Sequence, residues 1–204
     1  AGNRSIFYPA AALSANLTEA IPSLKGKVLN SWKMRANYGV VGRAAPAYNT
    51  DNYASIGGAS DGFGPSIAYP FNALSGYTIS NTAGNKNLKP EFTTEWEVGV
   101  DANFFNNRIT LQASYYQRKL TDGLFSVPVS AASGVTSLFQ NAGEIDTKGV
   151  EVTLGLVPIK TNNFTWSING NLTQFKSMVS KLAPGVSVIT LAGFTTPNIR
   201  LVAG

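Results

Sequence analysis

Glu95 and Glu97 stand two residues apart in "TEWEVGVDANF", a spacing that puts both carboxylates on one face of an extended strand. A glycosidase needs two such groups flanking a bond in a cleft, roughly 5–9.5 Å apart. One strand reaches that separation, but nothing else in the sequence builds a cleft, and the default role is the polar lining of a wet interior. The stretch "GGASDGFG" (Gly57 to Gly64) is as glycine-rich as a phosphate-binding loop, yet it lacks that loop's lysine and strand-to-helix setting. Asp51 and Asp61 sit in the same region without the ligand spacing of an EF-hand. Tyr48, Tyr53, Phe63, Tyr69, Phe71 and Tyr77 crowd there too; such rings either stack on sugar faces or form the loop's own small core. No catalytic, metal or cofactor residues are assigned, and substrate-binding positions are left open.

Whole classes of chemistry are excluded by composition. Cysteine and histidine are both absent from the 204 residues. Thiol nucleophiles, imidazole bases, Ser-His-Asp triads and ordinary zinc sites therefore have no residues to build them. The net charge of +5 is scattered, with no basic run of the kind that tracks nucleic acid. Charged residues make up only 13% of the chain, about half the usual share for a soluble domain. Asn, Ser, Thr and Gly fill the gap, which favours strands and turns. The start, "AGNRSIFYPAAALSANL", lacks the basic region and sustained apolar core of a signal peptide. No window is long and apolar enough for a membrane helix.

The elements that must position these residues are strands. Six segments are predicted: Phe7–Leu17, Trp32–Val41, Thr94–Phe104, Arg108–Leu120, Lys148–Pro158 and Asn163–Lys176. In the third, Trp96, Val98, Val100, Ala102 and Phe104 alternate with Glu95, Glu97, Asp101 and Asn103. In the sixth, Phe164, Trp166, Ile168 and Leu172 alternate with Thr165, Ser167, Asn169, Asn171 and Thr173. Period two is the primary strand signal.

Connections differ in kind. Phe105-Asn106-Asn107 and Ile159–Asn163 are short, whereas Gly42–Thr93, Thr121–Thr147 and Ser177 onward are predicted to be long and irregular. In an antiparallel meander the short connections then share one end and the long ones the other, the habit of an outer-membrane barrel. The alternating runs of about 9–11 residues suit tilted strands crossing hydrocarbon. Rings fall where the strands would cross the interfaces: Trp32, Phe104, Phe105, Phe164 and Trp166 near the short turns, Trp96, Tyr115 and Tyr116 toward the long loops. The competing reading is a soluble extracellular β-sandwich that binds carbohydrate, with the same rings as core anchors. A glycoside hydrolase is disfavoured by the lack of a converging acid pair.

Several motifs carry a resemblance. Asn87–Glu91 ("NLKPE"), Phe105–Arg108 ("FNNR"), Tyr115-Tyr116, Asn141–Glu144 ("NAGE") and Lys148–Glu151 ("KGVE") follow one another with the strands between them. In that order they resemble the C-terminal half of SusC/RagA-type TonB-dependent outer-membrane transporters. "FYPAAALSANL" and "LKGKVLNSWKMRANYGVVG" are similar to that family's preceding strands, although Ala15 stands where the family usually has tryptophan. The resemblance covers nearly the whole chain. It implies an all-β fold, an antiparallel transmembrane β-barrel of roughly 22 strands in the plugged-transporter class, of which about six lie here.

Six strands cannot close such a barrel, and an open edge is not tolerated in lipid. Residues 1–204 are accordingly expected to be part of a single barrel domain, with the plug domain and remaining strands outside the chain. The implied function is TonB-dependent uptake of an oligomeric nutrient, a glycan or a peptide, across the Gram-negative outer membrane. The implied partners are a SusD-like lipoprotein lid, TonB (through absent parts), the oligosaccharide or peptide substrate and the lipid bilayer. Neither an enzyme activity, a cofactor nor a nucleic-acid partner is expected.

Overall fold

The computed structural model describes residues 6–60, 64–193 and 197–204. Along the chain β1 (Ala10–Asn16) is followed by helix α1 (Leu17–Ala20), a 3-10 turn (Pro22–Leu24) and β2 (Leu29–Arg43). Five short strands come next: β3 (Ala54–Ile56), β4 (Gly58–Ala59), β5 (Ile67–Ala68), β6 (Tyr77–Ile79) and β7 (Thr82–Ala83). The long strands β8 (Glu91–Phe104), β9 (Ile109–Pro128), β10 (Ser137–Lys160) and β11 (Thr165–Leu182) then precede β12 (Val188–Gly193) and β13 (Asn198–Val202). One sheet runs β1-β2-β8-β9-β10-β11, in sequence order, and β7 pairs with β10 in parallel. The all-β, antiparallel expectation holds, with the six predicted strands as its wall.

Clustering of contacts divides the chain into two compact units. The first comprises Ala1–Gly42, Phe92–Thr121 and Glu144–Ser180. Here Ala11, Leu13 and Ala15 of β1 oppose Tyr38, Ala36 and Met34 of β2, while Trp96 and Val98 of β8 oppose Gln117 and Tyr115 of β9. Its apolar face is uncovered: Val98 is 45% exposed, Leu154 39%, Ile168 43% and Leu172 64%. A sandwich would bury that face under a second sheet; a lipid-facing wall leaves it bare.

The turns of this unit gather at one end. Phe105 N–H donates to the Val28 carbonyl at 2.8 Å, Asn107 N–H to Asn30 Oδ1 at 3.3 Å, and the Arg108 guanidinium to the Pro158 carbonyl at 3.5 Å. Phe105, Asn106 and Asn107 all have positive φ (51°, 55° and 62°). Asparagine tolerates that region better than other side chains, which explains the Asn-Asn pair. The second turn closes through Thr161 N–H to the Phe164 carbonyl at 2.8 Å, with Phe164 N–H returning to Thr161 Oγ1.

The second unit comprises Arg43–Glu91, Asp122–Gly143 and Lys181–Gly204. Val127, Ala142 and Ile189 form its small core, with Phe125, Leu182, Val186 and Leu201 packed around them. Three expectations are corrected here. The stretch Thr121–Thr147 is mostly strand, because β9 runs on to Pro128 and β10 begins at Ser137. After Ser177, β11 continues to Leu182 and a hairpin, β12 against β13, follows. Within Gly42–Thr93, β3 pairs with β6 and β4 with β5 as a nested ribbon. Away from hydrocarbon neither strand face need be uniformly apolar, so ladders persist there without the alternation that reveals them. The first strand also ends early: Leu17 opens α1, where buried Thr18 accepts Trp32 N–H at 3.2 Å.

Candidate functional site

Five charged side chains on the polar face of the first unit are partnered. Arg35 of β2 reaches over β8 to Glu97 (3.3 Å) and Asp101 (3.1 Å), and all three side chains are about 30% exposed (31%, 26% and 28%). Gly99 lies between the two acids; a Cβ there would stand 2.6–2.9 Å from the guanidinium, so glycine supplies the room in which Arg35 lies across the strand. One strand over, Glu95 pairs with Arg118, which also lies 5.8 Å from the centre of the Tyr116 ring. Tyr116 in turn covers Gly149 of β10. An open groove beside this array is floored by Ala10, Ala12 and Gly39 and rimmed by Glu95, Glu97 and Arg118.

Glu95 and Glu97 do share a face, as their spacing predicts. Each is held by a different arginine, Glu97 by Arg35 and Glu95 by Arg118, and both border the open groove. Alternation alone did not reveal Arg35 and Asp101 as partners, although Arg35 falls on the polar register of β2. Tyr116 is corrected from the interfacial ring set: it opposes Glu97 on the polar face, whereas Tyr115 packs with Trp96 on the other (centroids 5.4 Å apart).

The motif residues come together in the second unit as staples. The Asn141 side chain accepts Lys89 N–H at 2.9 Å, and its amide donates to the Lys89 carbonyl at 2.9 Å and the Asp122 carbonyl at 2.7 Å. Glu91, 9% exposed, accepts Leu124 N–H at 2.9 Å and pairs with Arg43 at 2.7 Å. "NLKPE" and "NAGE" are thus joined by side chains that satisfy backbone groups where the chain leaves the ladder.

The loop candidates separate. Asp51 pairs with Lys86 (3.8 Å) and accepts Thr50 Oγ1 (2.9 Å), and among the described residues no group of acidic side chains could hold a metal. Asp61 and Phe63 lie outside the described residues, as does part of the glycine-rich stretch. Tyr69 packs between Gly57 and Gly76: a Cβ on Gly76 would clash with its ring at 2.8 Å, and one on Gly57 would stand 3.1 Å from it. Among the described rings of this region, Tyr69 is the one packed against glycines. Tyr48 and Tyr53 form an exposed edge-on pair at 6.3 Å. On the ribbon, Ile56 opposes Tyr77 and Ala54 opposes Ile79, and Ile56, Tyr77 and Ile79 are 70–75% exposed.

Among the described residues no helix is long and apolar enough to cross a membrane, which says nothing against spanning by strands. Residues 2–198 match the family model described as TonB dependent receptor-like, beta-barrel. TonB-dependent receptor P3 of Formosa agariphila is 31% identical over 189 residues, and TonB-dependent receptor SusC of Bacteroides thetaiotaomicron 31% over 193. Each comparison covers 90% of this chain but 18% of the relative, so the chain spans about a fifth of the length of the curated relatives it matches. A solved structure described as the RagAB peptide transporter superposes with a TM-score of 0.79 at 22% identity, over 99% of this chain and 21% of that one, and shares its fold. With a match across nearly its whole length, the chain belongs to the TonB dependent receptor-like β-barrel family of outer-membrane transporters and receptors, on its SusC-like side.

Proposed function

We propose that residues 1–204 are one piece of a single β-barrel domain whose parent takes up an oligomeric nutrient, glycan or peptide, across the outer membrane. Uptake would be driven by TonB and assisted by a SusD-like lipoprotein lid. The observation that carries this reading is the two-faced wall: an exposed apolar face on one side and the Arg35–Glu97–Asp101 and Glu95–Arg118 pairs on the other. An aqueous lumen keeps such charges solvated while lipid accepts the other face. Arginine and carboxylate groups in a wet channel suit polar, hydrogen-bonding cargo.

Specificity belongs in this reading to the connection between β2 and β8, where exposed rings are concentrated. Deleting Ala45–Ser80 from the full-length parent should leave surface expression unchanged while reducing substrate binding or lid association. Normal binding by a correctly assembled deletion variant would relocate recognition to the lumen or to other strands.

A further inference from the structure

On the apolar face, the row just beyond Tyr115 and Val150 changes character. Thr147 and Ser177 meet through their hydroxyls at 2.8 Å on the polar face, so the next residues inward, Lys148 of β10 and Lys176 of β11, face each other on the opposite one. Both are exposed, and neither forms an ion pair among the described residues. The nearby Lys119 is already taken by Glu144 at 3.1 Å. Like charges directly opposed across a ladder destabilise it unless an anion lies between them. Below the lysines runs an apolar furrow lined by Val152, Leu154, Ile168 and Leu172. It opens over Gly170, where a side chain would meet nothing within 4 Å. Gly170 and Lys176 lie six positions apart on β11, roughly 20 Å of strand, comparable with the length of a fatty-acyl chain. A further strand at the edge of β11 would extend the sheet sideways and leave this face uncovered.

We infer that Lys148 and Lys176 bind a phosphate of a phosphorylated, acylated glycolipid of the outer leaflet, with one acyl chain lying in the Gly170 furrow. Charge complementarity selects the headgroup, because two ammonium groups at the edge of an apolar band match a phosphate set directly above acyl chains. The leaflet follows from the end of the sheet: the lysines lie toward the long connections, away from the Asn106-Asn107 turn, and long connections are extracellular in such barrels. This inference rests on the membrane-spanning reading given above.

The test uses the full-length protein, purified from outer membranes in mild detergent, delipidated and titrated with three probes. These are lipopolysaccharide, enzymatically dephosphorylated lipopolysaccharide and inorganic phosphate, with thermal unfolding as the readout. Affinity for lipopolysaccharide should fall roughly 25-fold in K148Q/K176Q and stay unchanged in K33Q, which removes a lysine from the polar face. Dephosphorylated lipid should bind the unaltered protein as weakly as lipopolysaccharide binds the double variant, and inorganic phosphate should not compete at equal concentration. Gly170→Phe, which fills the furrow and keeps both lysines, should also weaken binding; with the dephosphorylated probe it decides the matter if the double variant fails to assemble. Unchanged binding by K148Q/K176Q, equal binding of the two lipids, or full competition by inorganic phosphate overturns the inference. Unaltered protein missing from the outer-membrane fraction would overturn the uptake reading as well, whereas correct insertion with undiminished lipid binding overturns the lipid site alone.

Discussion

The Tyr116 ring occupies the space that Gly149 leaves empty: a Cβ at position 149 would stand 2.6 Å from the phenol oxygen and 2.7 Å from Cζ. Two motifs, Tyr-Tyr on β9 and Lys-Gly on β10, are therefore one contact seen from both strands. Gly149→Ala should destabilise the barrel by about 1–3 kcal/mol through overpacking. Tyr116→Ala in the same protein should relieve most of that loss. Unfolding of the four proteins in detergent gives the coupling, and strictly additive effects would mean that the ring has another seat.

Facing sets the response to charge. Arginine placed at Val98 or Leu154 should cost about 2–4 kcal/mol near the bilayer midplane. Arginine at Gln112 or Asn169, on the polar face, should cost little. Heat-modifiable migration of the full-length protein in outer-membrane preparations reads assembly, and equal sensitivity of the two faces would count against a lipid-facing assignment.

Arg35 bridges two carboxylates, Glu97 and Asp101, that share a face of β8 with Gly99 between them. Because the three side chains are near one-third exposed, solvent screening limits their worth, and Arg35→Met should cost only about 1 kcal/mol. Adding Glu97→Gln and Asp101→Asn should restore stability by removing the unbalanced charges. A triple variant weaker than Arg35→Met would show that the carboxylates have partners other than Arg35.

Asn141 replaces missing ladder bonds with its side chain. Asn141→Ala strands the N–H and carbonyl of Lys89 and should cost about 1–3 kcal/mol. The loss should be local, seen as faster protease cleavage between residues 44 and 90 while the remainder of the wall stays protected. Asn141→Asp keeps the acceptor and loses both donor bonds, so its cleavage rate should be intermediate. Cleavage unchanged in both variants would remove Asn141 from the role.

Alternation along Thr94–Phe104 and Asn163–Lys176 by itself determined which residues share a face, because strand geometry sends successive side chains to opposite solvents. The Asn-Asn turn was equally plain, its backbone conformation being a local property of that residue type. The order of the strands in the sheet was legible too, but neither their full length nor which side chains meet across them could be read the same way. β10 extends to 24 residues although only its second half alternates, because backbone pairing, the small core around Ala142 and the Asn141 side-chain bonds sustain the rest. Asn141 meets Lys89 across 52 positions and Arg35 meets Asp101 across 66. Only the register between strands decided those contacts, and with them which charges are neutralised, since a glycine such as Gly99 or Gly149 acquires its purpose from the neighbour that fills its space.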